Sequence, residues 1–169
     1  MKIGRLTISD RASAGLYADR SGPEIEAVLR EVFGPEAQFV AALVPDEADL
    51  IATRLRELAD AAGCDLIVTT GGTGIGPRDV TPEATRAVLE RELPGFGEAM
   101  RLTALARVKT AILSRATAGT RGRTLIVNLP GKPTAVRECL ETLAPAIREA
   151  VAHLRGEDPH VPAQTPTPV

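Results

Sequence analysis

The sequence has few of the residues on which nucleic-acid-binding proteins depend. Aromatic side chains make up 2% of the 169 residues. That is too few for a protein that binds single strands by stacking bases. The net charge is −2, whereas proteins that bind nucleic-acid duplexes normally carry a basic excess. Nucleic acid is therefore not an expected partner.

Cysteine, histidine and long apolar runs are also scarce. Cys64 and Cys139 have no paired spacing, so we expect two buried thiols and neither a disulfide nor a zinc site. His153 and His160 lie near or in the C-terminal segment and are poor catalytic candidates. The apolar runs are far shorter than the ~20 residues of a membrane span, and no signal-peptide core follows Met1-Lys2. We expect a cytoplasmic protein whose chemistry depends on carboxylates, hydroxyls, arginines and backbone groups.

Apolar periodicity predicts strands that alternate with helices, which is typical of an α/β domain with a mostly parallel sheet. Strands are expected at residues 2–9, 38–44 and 65–70, and a hairpin with one antiparallel strand from residues 114–120 and 123–128. A helix is expected from Thr81 to about Glu92, and Pro145 is expected to kink or split the last helix. The domain spans residues 1–155, and the proline-rich residues 156–169 are expected to form an extended or disordered tail.

The most informative motif is TTGGTGIGPRDVTPE, at residues 69–83. Four glycines within residues 71–76 permit positive φ angles, so backbone N–H groups can surround an anion. The hydroxyls of Thr70 and Thr73 are further donors, whereas a simple tight turn would need only one or two glycines. Pro77-Arg78 stands where a P-loop needs Lys followed by Ser or Thr, and the glycine spacing does not fit a dinucleotide fingerprint. We therefore expect a phosphate-binding loop of another kind.

Asp46 and Asp79 follow two strands that should end at the same edge of the sheet. Two carboxylates beside a phosphate site would repel a bare anion, and Mg²⁺ held by carboxylates, phosphate oxygens and water would remove that conflict. Each aspartate also has a structural alternative. Asp46 could cap the helix that follows it, and Asp79 could precede the cap of the helix at Thr81.

Three further segments offer ligand-binding groups near that edge. Ser9-Asp10-Arg11 follows the first strand. The segment from Asn128 to Pro133 offers an amide, a cation and free N–H groups at a helix start, although a proline-stiffened turn is the alternative. Ser114 and Arg115 begin the predicted hairpin with a hydroxyl and a cation, although an isolated arginine is more often a solvated surface charge.

In order and spacing, these motifs resemble the molybdopterin-binding Mog/MoaB family over about residues 2–155. The segments 9–15 and 128–131 are more similar to the Mog branch, the molybdopterin adenylyltransferases, than to the MoaB branch. The segment Gly74-Ile75-Gly76-Pro77 departs from that branch. The segments that carry the resemblance are 9–11, 45–47, 69–85, 94–98, 112–115 and 128–131.

The resemblance implies a three-layer α/β/α domain assembled as a homotrimer. It also implies transfer of AMP from ATP to molybdopterin with release of pyrophosphate, with Mg²⁺ as cofactor, and transient contact with other proteins of molybdenum cofactor biosynthesis. Asp46 and Asp79 match the family's essential aspartates and are the candidate catalytic and Mg²⁺-binding residues. The candidate substrate- and nucleotide-binding residues are Ser9, Asp10, Thr70, Gly71, Gly72, Thr73, Gly74, Ser114, Arg115, Asn128, Pro130, Gly131 and Lys132.

The alternative function is a non-catalytic carrier or scaffold domain of the MoaB type that binds molybdopterin. Such a carrier would not need a metal-held triphosphate. Because both Asp46 and Asp79 are present, the sequence favours the enzyme.

Overall fold

The computed structural model describes residues 1–157, in which strands and helices alternate as predicted. The strands are β1 (Lys2–Ile8), β2 (Gln38–Val44), β3 (Leu66–Thr70), β4 (Arg91–Glu92), β5 (Ala118–Arg121) and β6 (Thr124–Leu129). The helices are α1 (Asp10–Ser13), α2 (Ser21–Phe33), α3 (Ala48–Arg56), α4 (Thr81–Arg86), α5 (Pro94–Leu105) and α6 (Pro133–Arg155). A π-helical turn at Glu57–Ala61 extends α3, and a 3-10 turn lies at Lys109–Leu113.

The strands form one sheet in the order β2-β1-β3-β6-β5-β4. The first four strands of that order are parallel, whereas β5 is antiparallel to β6 and β4 is antiparallel to β5. The carboxyl ends of β1, β2, β3 and β6 therefore meet at one edge. The chain passes from β2 across β1 to β3, and such a change of direction opens a ligand crevice at the carboxyl ends of the strands.

Helices cover both faces of the sheet, which confirms the three-layer α/β/α fold. Strands β3 and β6 are buried along their whole length, so they carry continuous apolar runs rather than alternating ones. Alternate side chains face opposite layers: Leu66 and Val68 pack with α2, α5 and α6, whereas Ile67 packs with α3 and α4. Both thiols are buried and free, as expected for Cys64 and Cys139.

The predicted hairpin is shorter than the sequence indicates. Ser114 ends the 3-10 turn, where its N–H donates to the carbonyl oxygen of Ala111, and β5 begins only at Ala118. The helix predicted to reach Glu92 ends at Arg86, because the backbone N–H groups of Glu90 and Leu93 donate to β5 and make Arg91–Glu92 an edge strand. Long-range pairing thus overrides the local helical pattern.

Two expectations about the C-terminal region have different outcomes. Helix α6 is continuous through Pro145, so the expected split is wrong. Pro145 and Glu141 are exposed, and water can satisfy the carbonyl group that proline leaves without a donor. Gly156 ends α6 with a φ of 80°, and residues 158–169 of the predicted tail lie outside the described residues.

Within residues 1–157, no helix is both long and apolar enough to span a bilayer.

We expect Pro145→Ala to raise the free energy of unfolding by about 1–2 kcal/mol. The variant regains an N–H that can bond to the carbonyl of Glu141, and the exposed position loses little packing. Urea unfolding measures the change. Pro133→Ala is the matched control, since proline in the first turn of a helix displaces no hydrogen bond and its removal should bring no gain. A Pro145→Ala variant no more stable than wild type would contradict this account.

Candidate functional site

A cavity of about 480 Å³ opens at the carboxyl ends of the parallel strands. It brings together all four segments expected to meet there, those that follow β1, β2, β3 and β6. From the segment after β2, Asp46 lies in the cavity wall. The predicted site residues in this wall are Ser9, Asp10, Asp46, Thr70, Gly71, Gly72, Asp79, Gly131 and Lys132.

The glycine loop enters the site through a gap that only glycine fits. Gly71 has a φ of 100°, and a β-carbon at this position would lie 2.2 Å from the carbonyl oxygen of Ile8. On the other side, the N–H of Gly71 donates to the carbonyl oxygen of Leu129, 3.3 Å away. Gly72 also has a positive φ, 62°, and its missing side chain leaves room for the carboxylate of Asp46.

Asp46 and Asp10 hold each other through reciprocal hydrogen bonds. The backbone N–H of Asp10 donates to Oδ2 of Asp46 at 2.8 Å, and the backbone N–H of Asp46 donates to Oδ1 of Asp10 at 3.0 Å. The structural alternative for Asp46 is therefore wrong: α3 has Glu47 as its N-cap, without a capping side-chain bond. Oδ1 of Asp46 faces the glycine loop, 2.9 Å from where a β-carbon of Gly72 would lie.

Arg78 connects the glycine loop to this carboxylate pair. Its guanidinium donates to both carboxylate oxygens of Asp10, at 3.0 and 2.9 Å, and to Glu47 at 2.9 Å. The hydrogen bonds from Arg78 hold the pKa of Asp10 below its ordinary value. Burial raises the pKa of Asp46, and the charges of Asp10 and Asp79 act in the same direction. The site thus contains one carboxylate that is readily ionised and one whose ionised form is costly without a nearby cation.

The loop itself wraps around Asp79. The N–H of Gly76 donates to Oδ2 of Asp79 at 2.7 Å, and β-carbons at Gly74 or Gly76 would lie 2.8 or 2.9 Å from the same oxygen. Asp79 directly precedes Val80, the N-cap of α4, but its side chain makes no capping bond to that helix and instead accepts a hydrogen bond within the loop. The hydroxyl of Thr81, which sequence predicts to be that cap, instead donates to the carbonyl oxygen of Gly71 at 2.9 Å.

The loop between β6 and α6 forms the part of the wall beside the glycine loop. The hydroxyl of Thr70 donates to the carbonyl oxygen of Pro130, and that of Ser21 donates to the carbonyl oxygen of Gly131, both at 2.7 Å. Lys132 is the N-cap residue of α6. Within residues 1–157, no hydrogen bond or ion pair engages its ammonium group. A cation and a helix N-terminus therefore stand beside the glycine loop, which suits an anionic ligand.

Asn128 lies beneath the site rather than in its wall. Its side chain is fully buried, and its Nδ2 donates to the hydroxyl oxygens of Thr69 at 3.0 Å and Thr85 at 2.9 Å. Oδ1 has no hydrogen-bond partner among the described residues. Asn128 therefore ties β6 to β3 and α4, the elements between which the glycine loop runs.

Ser114 and Pro130 line a second cavity, of about 430 Å³, between α5 and α6. Gly131 and Lys132 belong to the walls of both cavities. Arg101 on α5 holds the backbone of Ser114, because its guanidinium donates to the carbonyl oxygen of Ser114 at 3.1 Å.

Thr73, Gly74 and Arg115 lie behind the first cavity. The guanidinium of Arg115 contacts the loop that carries Gly74 and Asp79. The structure therefore separates these three candidates from the cavity wall.

The sequence analysis selected Ser9 and Asp10, directly after β1, as site residues, but it did not select the wall residues that follow them. Arg11, Tyr17, Arg20 and Ser21 all contribute to the cavity wall, and the Arg11 guanidinium lies 5.5 Å from the centre of the Tyr17 ring. Asp19 anchors this segment, because its carboxylate accepts hydrogen bonds from Arg5, Thr7 and the N–H of Gly22. The available signal was the position of the segment directly after the first strand, where open α/β sheets place ligand loops.

The carboxylates fit a magnesium ion that is bound together with a phosphate ligand. Within residues 1–157, no group of three or more His, Cys, Asp or Glu side chains could hold a metal ion alone. Magnesium in nucleotide sites usually needs only one or two carboxylates, since phosphates and water complete its shell. Asp46 and Asp79 supply two carboxylates against one glycine loop.

Known proteins are similar to this chain over most of its length. A family model described as "Probable molybdopterin binding domain" matches residues 4–149. The chain is 53% identical to the molybdopterin adenylyltransferase of Helicobacter pylori over 154 residues, which cover 91% of this chain and 88% of that protein. The corresponding Escherichia coli K12 enzyme is 46% identical over 153 residues, covering 90% of this chain and 78% of that protein.

A solved structure has the same fold. The molybdopterin biosynthesis enzyme MoaB from Thermus thermophilus superimposes with a TM-score of 0.84 at 47% identity, covering 92% of this chain and 97% of that chain.

We expect Gly71→Ala to destabilise the protein more than Gly122→Ala. Both glycines have positive φ, so each substitution carries a strain of about 1–2 kcal/mol. Only Gly71→Ala also forces a methyl group against the carbonyl oxygen of Ile8, whereas Gly122 has open space around it. Urea unfolding of both variants compares the two costs. Equal losses would show that the close approach of β1 and the glycine loop is not a packing constraint.

Proposed function

Because this chain belongs to the molybdopterin-binding domain family, we propose that it is a molybdopterin adenylyltransferase of molybdenum cofactor biosynthesis. The enzyme transfers AMP from ATP to molybdopterin. A phosphate oxygen of molybdopterin bonds to the α-phosphorus of ATP, the bond from that phosphorus to the bridging oxygen breaks, and pyrophosphate leaves. The observation that carries the proposal is the placement of the Asp46 and Asp79 carboxylates against one glycine loop at the cavity.

Both carboxylates favour an enzyme over a carrier. A carrier of molybdopterin binds one anionic phosphate, and two carboxylates beside that phosphate would weaken binding by repulsion. An adenylyltransferase binds a triphosphate with a divalent cation, so the carboxylates have a function. The similar proteins from Helicobacter pylori and Escherichia coli are likewise named as adenylyltransferases, and the carrier alternative is not favoured.

The chain's own residues act by binding and orienting two anionic reactants. The N–H of Gly72 and the hydroxyl of Ser9, both in the cavity wall, donate to phosphate oxygens. Lys132 and the first turn of α6 supply positive charge beside them. Holding the phosphate nucleophile in line with the α-phosphorus lowers the entropy cost of the reaction.

No side chain of the described residues needs to act as a covalent nucleophile. Burial raises the pKa of Cys64, and it raises the pKa of Cys139 to about 11, so both thiols stay protonated at neutral pH. His153 lies about 30 Å along α6 from the helix start at the site, at the usual rise per residue. Transfer between two bound phosphates requires positioning and charge neutralisation instead.

Asp46 and Asp79 are the residues that would hold Mg²⁺. The ion neutralises charge on the triphosphate and on the leaving pyrophosphate when it is bound. Arg78 keeps Asp10 ionised and fixed, and the backbone N–H of Asp10 in turn orients the carboxylate of Asp46. This chain of contacts holds Asp46 toward the glycine loop before the ligands arrive.

The proposal includes a homotrimer that acts in the cytoplasm and contacts other cofactor-biosynthesis proteins transiently. Two free, buried thiols suit a reducing compartment.

Support for assembly comes from large apolar side chains exposed on neighbouring elements, because burying them against other copies would remove them from water. These side chains are Leu102 on α5, Val108 after it, Ile112 and Leu113 on the 3-10 turn.

We expect the protein to transfer radiolabelled AMP from α-labelled ATP to molybdopterin in the presence of Mg²⁺, and we expect Asp79→Asn to slow transfer about 10²-fold or more. Chromatography of the labelled pterin measures the rate. Asp60→Asn is the matched control, because Asp60 is an exposed, ion-paired aspartate on the π-helical turn, away from the cavity wall. Absence of label on the pterin with wild-type protein would overturn the adenylyltransferase proposal.

We expect Ile112→Asp to reduce the molecular mass in solution from that of a trimer toward that of a monomer, because a charge in the contact would have to be buried. Light scattering after size-exclusion chromatography measures the mass. Leu50→Asp is the control, since Leu50 is an exposed apolar residue on α3, on the other face of the sheet. A trimer whose mass is unaffected by Ile112→Asp, or a monomeric wild type, would contradict this proposal for the assembly surface.

A further inference from the structure

Arg115 holds the glycine loop from behind the site. Its Nε donates to the carbonyl oxygen of Gly74 at 2.6 Å, its Nη2 donates to the carbonyl oxygen of Asp79, and its Nη1 pairs with the carboxylate of Glu83. Its backbone N–H also donates to the carbonyl oxygen of Thr73 at 2.9 Å. One residue therefore reaches four points between residues 73 and 83.

The part of the loop between these points has little other support. Ile75, Gly76 and Pro77 are exposed, so apolar burial does not fix them. The turn from Gly76 to Asp79 closes on itself, because Gly76 donates to the Asp79 carboxylate and Asp79 donates back to the Gly76 carbonyl. These bonds shape the turn but do not attach it to the domain. Arg78 attaches it on the cavity side, and Arg115 attaches it on the opposite side.

We propose that Arg115 is a positioning residue that sets the Asp79 carboxylate, which lies in the cavity wall, for the triphosphate. This inference rests on the proposed function and extends it by one residue. The guanidinium holds the carbonyls at both ends of the turn, Gly74 and Asp79, and so fixes the direction in which the Asp79 side chain leaves the backbone. Arg115 acts through the loop and does not contact the reacting atoms.

The acceptor geometry explains why arginine stands at this position. Three acceptors lie around one planar group: two backbone carbonyls and a carboxylate. A guanidinium offers five N–H donors in a fixed fork, whereas the single ammonium of lysine cannot reach three separated acceptors in the same way. Glu83 lies in the first turn of α4, so its ion pair also fixes the guanidinium relative to that helix.

The test compares Arg115→Ala and Arg115→Lys with Arg121→Ala. Arg121 is the matched control, because it also pairs with a carboxylate, that of Asp60, and donates to a backbone carbonyl, that of Val88, but lies away from the cavity. We expect Arg115→Ala to lower kcat for AMP transfer about 10²-fold, with KM for ATP within about threefold of wild type. Arg115→Lys should recover only part of kcat, and Arg121→Ala should leave kcat unchanged.

Two kinetic outcomes would overturn the inference. A rise in KM for ATP of about tenfold or more with an unchanged kcat would identify Arg115 as a direct nucleotide ligand. An unchanged kcat and KM in Arg115→Ala would show that the loop keeps its geometry without it.

Addition of free guanidinium at low millimolar concentration should restore part of the activity of Arg115→Ala and none of that of Asp79→Asn, since only the former variant leaves a guanidinium-shaped gap.

Amide hydrogen exchange tests the same inference without any activity. We expect Arg115→Ala to speed exchange selectively at residues 73–80, while Arg121→Ala leaves that segment at the wild-type rate. Unchanged exchange at residues 73–80 in Arg115→Ala would overturn the positioning role even if the protein proves to have another activity. If Arg115→Ala does not fold, Glu83→Gln gives the same test, because it removes the ion pair that orients the guanidinium.

Discussion

At the end of β3 the chain passes through so narrow a gap that a β-carbon on Gly71 would lie 2.2 Å from the carbonyl oxygen of Ile8. Passage through this gap places the following glycines beside the carboxylates of Asp10 and Asp46, which follow β1 and β2. The same gap brings Gly71 within hydrogen-bond distance of Leu129 and so sets the position of the loop after β6. The cavity thus depends on one close approach of backbone to backbone in the centre of the sheet.

Around this approach, the acidic side chains of the site are held by hydrogen bonds from other loops or from within their own loop. Asp10 and Asp46 fix each other across the ends of β1 and β2, and Arg78 joins that pair to the glycine loop. Hydrogen bonds from Arg78 lower the pKa of Asp10 and favour its ionised form, while burial raises the pKa of Asp46 and disfavours its ionised form. The two adjacent carboxylates therefore differ in how readily they ionise. A cation bound with an anionic ligand would stabilise the ionised form of Asp46.

The sequence predicts which strands and helices form better than it predicts the residues at which they begin and end. Strands β1, β2 and β3 lie within one residue of their predicted bounds. Burial in the sheet explains this for β1 and β3, most of whose residues are buried, whereas in β2 only Val44 is buried. The edge strand Arg91–Glu92 could not be predicted, since its pairing with β5 depends on residues about thirty positions away. The composition of the glycine loop predicts a phosphate site, but it does not predict the roles of Thr81 and Asn128. Their hydrogen-bond partners lie on other elements.

By itself, the sequence determined the α/β class and the strand-to-loop motifs at one edge of the sheet, and it predicted Asp46 and Asp79 as acidic groups of the site. These features follow from residue type and periodicity, which are local properties. Only the tertiary structure decided which candidates face the cavity, which support it from beneath, as Asn128 does, and which hold the loop from behind, as Arg115 does. Those distinctions depend on the direction of each side chain relative to residues distant in sequence, and such distances are fixed only when the strands pair.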